Sequence, residues 1–235
     1  MNWFVKMLNS SLGLKYVMGL TGVALLGFVV MHMLGNLQVF LGEDALNAYA
    51  AKLQTLGPQL WVARIGILVI FTEHIGAALK LNGINQNARD RGYQVQETIQ
   101  ASWASRYMVM TGLVVLGFVV LHLAHFTLKI GPWAEFADMH TADGHHNVYA
   151  MVIAGFKGHA TGIPMALIYV ACNLLLALHI SHGASSLFQS LGVNHPRYQP
   201  LFRSLGPLLG VTIAVGNLAI PLAVMFGLLP AIQVN

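Results

Sequence analysis

The stretch TGVALLGFVVMH, Thr21 to His32, returns as TGLVVLGFVVLH, Thr111 to His122. The copies are identical at 8 of 12 positions, with a constant offset of 90 residues (111 − 21 and 122 − 32). Each copy is apolar between its opening threonine and its closing histidine. A titratable side chain inside such a helix is costly to bury, so it marks a functional position that has a partner. Two copies of one helix face, each setting a histidine at the same depth, are what a pair of axial ligands requires. Two further histidines, His74 and His179, lie inside other apolar segments.

The composition sets the solvent. The 235 residues are 56% hydrophobic and 9% charged, with a mean hydropathy of +0.66; soluble domains carry roughly 25% charged residues. The chain reads as an integral membrane protein. Its one cysteine, Cys172, excludes a disulfide framework and a cysteine-ligated cluster within the chain. The net charge of +4 is small, and nothing in its pattern suggests nucleic-acid binding. The N-terminus, MNWFVKMLNSSLG, lacks the long apolar core and small-residue cleavage site of a signal peptide. It reads as a short amphipathic piece at the interface, anchored by Trp3, Phe4 and Leu8, or as a frayed terminus.

A spanning helix needs about 20 mostly apolar residues. Five stretches qualify, at about 15–41, 58–81, 106–130, 160–186 and 205–230. Strict alternation is absent, so the fold class is all-α rather than β-barrel. The expectation is one transmembrane domain over 1–235, a five-helix bundle. With the N-terminus inside, the inner flanks hold Lys6, Lys15, Lys80, Arg89, Arg91, Arg106, Arg197 and Arg203. The outer side holds Lys52, Arg64, Lys129 and Lys157. Eight cations against four place the N-terminus in the cytoplasm and, after five spans, the C-terminus outside. The long outer connection of about 131–159 carries Trp133, His140, His145, His146 and His159, and the inner loop of about 82–105 is polar. No soluble catalytic domain is present.

Depth sorts the histidines. His32 and His122 each lie four residues, ~6 Å, beyond the centre of an outward-running helix. His74 and His179 lie past the centres of inward-running helices. Two layers result, ~12 Å apart at 1.5 Å per residue: His32 with His122 outside, His74 with His179 inside. Imidazole is an axial ligand of haem iron, so the two layers read as two bis-histidine b-haem sites. His125 and His182, each three residues further on, are rival ligands. Otherwise they suit haem propionates, a quinone headgroup or interfacial water. Gly183, one turn after His179, leaves room for a porphyrin. Thr21 and Thr111 stand three turns deeper than His32 and His122 on nearly the same face. Their hydroxyls approach the inner haem or bond backbone carbonyls. Glu73, beside His74, is the one acid within a span and suits proton transfer or interhelical pairing.

These residues resemble the di-haem cytochrome b membrane-anchor subunits of succinate dehydrogenases and fumarate reductases. The resemblance covers nearly the whole chain. It rests on SSLGLKYVMGLTG (Ser10 to Gly22) leading to His32, on NAYAAKL (Asn47 to Leu53), on His74, and on SRYMVMTG (Ser105 to Gly112) leading to His122. HISHGASSLFQSLG (His179 to Gly192) is its most specific stretch. The resemblance implies five spans and two b haems, the inner held by the second and fourth helices and the outer by the first and third. It favours His179 over His182 as a ligand. It further implies a flavoprotein partner carrying FAD and an iron–sulfur partner on the inner face, quinone as membrane substrate, and a bacterial cytoplasmic membrane. The chain alone is then not the succinate-oxidising enzyme but the electron-transfer subunit of that complex. Docking is expected on the loop around 82–105 and on 187–205. Glu43 and Asp44 are candidates for the quinone, and Lys15, Arg106 and His182 for propionates.

Three rival readings remain. One is the cytochrome b anchor of another respiratory complex, of hydrogenase or formate dehydrogenase type. A metal-ion transporter would need carboxylates beside the histidines. A membrane di-iron oxidase would cluster its histidines near one surface.

Overall fold

The computed structural model describes residues 2–88, 103–158, 161–193 and 195–230. It is all-helical. Among the described residues the only β pairing is an isolated bridge between His140 and His146. The helices are α1 (Trp3–Leu8), α2 (Ser11–Asn36), α3 (Glu43–Gln54), α4 (Pro58–Asn87), α5 (Trp103–Arg106), α6 (Met108–His122), α7 (Val148–Ile153), α8 (Gly162–Ser190) and α9 (Gln199–Met225). Among the described residues, five helical stretches are long and apolar enough to cross a membrane: Ser11–Leu41, Pro58–Asn87, Met108–Ala137, Gly162–Ser190 and Gln199–Met225.

The observed stretches differ from the expected ones at their ends. α4 runs on through Leu81 to Asn87, and the third stretch reaches Ala137 rather than 130. Helices continue past the hydrocarbon because water satisfies polar side chains there as well as it does in a loop. Arg89, Arg91 and His159 lie outside the described residues. The N-terminal piece is helical: Ser10 ends α1 and opens α2, its hydroxyl donating to Met7 O at 2.6 Å and accepting from Gly13 N–H at 3.0 Å. Gly13 is required at this corner, because a Cβ there would stand 2.1 Å from Met7 O.

The chain divides into two compact units. The first is Met1–Phe28, Arg64–Leu113 and Ala177–Val211. In it α9 lies close against α8, since a Cβ on Gly206 would meet Ser181 O at 2.0 Å and one on Gly210 would meet Ala177 O at 2.7 Å. Small residues permit such approach where lipid, as apolar as the helix surfaces, offers them no hydrophobic drive to associate. Leu14, Ala77 and Leu81 form its buried apolar cluster.

The second unit is Val29–Ala63, Val114–Leu176 and Thr212–Asn235. Its core gathers Val39, Leu46, Trp133, Phe136, Tyr149, Phe156 and Tyr169. Two π-helical turns interrupt the regular helix here, Leu123–Thr127 directly after α6 and Ala154–Gly158 after α7. A buried polar clasp joins α3 to α7. Asn47 donates to Asn147 Oδ1 at 3.0 Å, Asn147 donates to Glu43 Oε1 at 2.7 Å, and Asn147 Oδ1 caps α7 by accepting from Ala150 N–H at 2.9 Å. Tyr149 is tied in through its N–H to Asn47 Oδ1 and its hydroxyl to Pro230 O.

Candidate functional site

Each unit contains one histidine pair. In the first, the rings of His74 (α4) and His179 (α8) face each other with centres 6.5 Å apart and planes at 72°. In the second, His32 (α2) and His122 (α6) stand 5.7 Å apart at 88°. Two imidazole nitrogens at about 2 Å on opposite sides of one metal place the ring centres roughly 6 Å apart. Both pairs fall at that span.

The Thr-Gly that opens each repeat seats an imidazole of the first unit. Thr21 Oγ1 lies 3.1 Å from His74 Nδ1, and Thr111 Oγ1 lies 3.1 Å from His179 Nδ1. Thr21 also donates to Val17 O at 2.7 Å, and Thr111 to Met108 O at 3.0 Å. The expected bonds to backbone carbonyls are present, and each hydroxyl in addition meets a histidine ring. A carbonyl only accepts, so it takes the hydroxyl proton, and the hydroxyl oxygen must accept from Nδ1–H. That order leaves the Nε2 lone pair of each histidine available to a metal. The following glycine makes space: a Cβ on Gly22 would touch His74 Cε1 at 3.4 Å, and one on Gly112 would touch His179 Cε1 at 3.3 Å.

The helix surface one turn beyond His179 is open at Gly183. His32 is exposed and His74, His122 and His179 are half-buried, although all four lie within apolar stretches. A Cβ built on Gly27, its repeat equivalent Gly117, Gly76 or Gly183 would meet nothing within 4 Å. Among the described residues no group of three or more histidine, cysteine or acidic side chains converges on one point. The donor set is two imidazoles at each centre, which suits a metal that arrives with its equatorial ligands already in place. The residues fit a b haem, whose porphyrin supplies those ligands.

The ring that meets His32 is that of His122. His125 points elsewhere, fully buried, and its ring lies 3.9 Å from Phe126 and 4.7 Å from Trp133. The phenol of Tyr169 on α8 reaches both histidines, 3.2 Å from His122 Nδ1 and 3.0 Å from His125 Nδ1. Tyr169 is absent from the expectations above, because a single tyrosine in an apolar helix reads as packing. Its register, ten residues before His179, is the only sequence trace of its role.

The other candidates are dispersed. His182 is half-buried one turn beyond His179. Lys15 lines an open groove of about 310 Å³ with Leu12, Tyr16, Ser186, Gln189 and Ser190; Ser186 lies on the His179 face of α8, seven residues on. Arg106 and Glu73 are exposed. Glu43 is held by Asn147, whereas Asp44 is exposed. Outside the apolar stretches, His140 and His146 stack with ring centres 4.9 Å apart, and Lys129 Nζ lies 3.5 Å from His146 Nδ1. Burial first, then the charges of Lys129 and His140, hold His146 below its ordinary value of 6.5.

Comparison with protein-family models, with curated proteins and with solved structures returns no match for this chain.

Proposed function

We propose that this chain is the di-haem cytochrome b anchor of a succinate:quinone oxidoreductase, carrying electrons between an iron–sulfur subunit and a membrane quinone. The observation that carries the haem reading is the pair of facing imidazoles in each unit, at 5.7 and 6.5 Å. A bound b haem supplies a one-electron carrier whose potential follows its axial ligands and their surroundings.

The chain's own residues do the rest. His32 and His122 hold one haem, His74 and His179 the other. Thr21 and Thr111 fix the tautomer and ring orientation of their histidines, the task of outer-shell partners at metal–histidine sites. Gly22 and Gly112 admit those rings, and the apolar helices exclude water. Lys15, Arg106 and His182 are the candidates for propionates. Glu43, positioned by Asn147, is the candidate acid for a quinone, with Asp44 beside it. The cation asymmetry supports an N-terminus inside and a C-terminus outside a bacterial cytoplasmic membrane, so the flavoprotein and iron–sulfur partners dock on the inner face. The succinate assignment rests on the sequence resemblance.

A reduced-minus-oxidised difference spectrum of the assembled protein tests this reading. Expected are b-type bands and about two haems per chain, as four axial imidazoles require. Correctly assembled material without b-type bands overturns it. Co-purification with a hydrogenase or formate dehydrogenase in place of a flavoprotein overturns the succinate assignment alone.

A further inference from the structure

The two histidine pairs are served by different hydrogen-bond partners. At His74 and His179 the acceptor is a threonine hydroxyl whose own proton goes to a helix carbonyl. At His122 it is a phenol shared with a second histidine, and one phenolic proton must serve two Nδ1 atoms. If the phenolic proton is used within this chain, two orders are possible. Either His122 Nδ1–H donates to Tyr169 and Tyr169 donates to His125 Nδ1, or both bonds run the other way.

The ligand role of His122 decides between them. In the first order the remaining proton of His125 is on Nε2; in the second its Nε2 presents a lone pair. Among the described residues His125 Nε2 has no hydrogen-bond partner. The ring is fully buried among Phe126, Trp133 and Phe156, with centres 3.9, 4.7 and 5.9 Å away and the Phe156 plane at 86° to it. A ligating His122 presents the lone pair of Nε2, so its proton sits on Nδ1 and is donated to the phenol oxygen. The phenolic proton then goes to His125 Nδ1, and His125 keeps its own proton on Nε2.

We propose that Tyr169 and His125 form a tautomer relay that prepares His122 as a ligand and makes the outer haem site electronically distinct from the inner one. This rests on the di-haem reading. Tyr169 is a positioning residue. A phenol polarised by donating to His125 is a stronger acceptor than an unpolarised one, because bonds in a chain reinforce each other. A stronger acceptor at Nδ1 makes the His122 imidazole a more basic ligand and favours the oxidised iron.

The test is a redox titration of the haem-loaded full chain, with histidine tautomers read by ¹⁵N NMR on the labelled protein. Tyr169→Phe is expected to keep two haems and raise one midpoint potential while the other stays. His125→Leu raises the same potential by less, and His125→Asn, which restores an acceptor for the phenol, returns it to wild type. Unchanged potentials in Tyr169→Phe overturn the relay, as does equal behaviour of His125→Leu and His125→Asn. Should Tyr169→Phe fail to assemble, the two His125 variants carry the test. The NMR readout does not need haem: His125 as the Nε2–H tautomer supports the relay and the Nδ1–H tautomer overturns it. Absence of b haem from the wild type would instead overturn the functional reading.

Discussion

Thr21 Oγ1 and His74 Nδ1 lie 3.1 Å apart although 53 positions separate them in the chain. The contact gives the repeat a use beyond its closing histidine, since its first residue orients a histidine on another helix. Thr21→Val removes the acceptor at nearly constant volume. Loss of such a partner typically weakens metal affinity by about 10–100-fold. The expected outcome is one haem lost on dilution or gel filtration while the second is retained, with Thr21→Ser close to wild type.

The imidazole planes stand at 88° in one pair and 72° in the other. Held at those angles on a bound b haem, the two imidazoles would leave the iron d orbitals of π symmetry nearly degenerate. Low-temperature EPR of the oxidised protein should therefore show highly anisotropic low-spin signals. Rhombic spectra of the kind given by parallel imidazoles would contradict the ring geometry.

Gly112 leaves a Cβ position only 3.3 Å from His179 Cε1. A branched side chain reaches further than Cβ and displaces the ring. Gly112→Val should lower haem content from about two to about one per chain, the count that intact ligation at one centre predicts. Gly83→Ala, nine residues past His74 on the opposite face of α4, where a Cβ meets nothing within 4 Å, should leave the content unchanged. The pyridine haemochrome assay distinguishes the two.

His146 titrates below its ordinary value of 6.5, first from burial and then from Lys129 and His140. The unfolded hairpin therefore binds its proton at higher pH than the folded one. The unfolded state binds more protons between the two values, so stability rises with pH there. The structure around Thr141 to Asn147 should be fully stable above about 6.5 and lose stability as pH falls through the folded value. The protection factors of the Thr141 and Asn147 amides, which divide out the intrinsic slowing of exchange in acid, should fall on acidification, and His146→Asn should flatten that dependence.

Asn147 is buried, accepts from Asn47 and from Ala150 N–H, and donates to Glu43. Asn147→Ala strips the cap from α7 and leaves the Asn47 amide unpaired. A cost on the order of 2–3 kcal/mol is expected from an unsatisfied buried group together with a lost cap. Thermal unfolding in detergent should show it, with Glu43→Gln much closer to wild type.

Much of the site can be read from the chain because helical rise is regular. Depth alone pairs His32 with His122 and His74 with His179, and the structure brings those rings together. Spacing could not choose between His122 and His125, since three residues along a helix change both depth and direction only modestly. The π-helical turn at Leu123–Thr127 and the aromatic cage turn His125 away from His32. The addressees of Thr21 and Thr111 are equally hidden, because spacing along one helix carries no information about which neighbour it meets. The C-terminal end of α4 lies beyond the expected 81 for a simpler reason. Asn82 and Asn85 read as loop residues, yet a helix emerging into water retains them.

The Asn47–Asn147 bond has a consequence for biogenesis. Its two amides are 100 residues apart, so Asn47 leaves the ribosome long before its partner is made. At roughly 5–20 residues per second, α3 waits several seconds with polar groups that only later chain can satisfy. Its docking, and the closing of the core around Tyr149, must therefore follow synthesis of the segment after α6. A nascent chain stopped before Asn147 would carry α3 as an open latch, exposed to proteases until synthesis catches up.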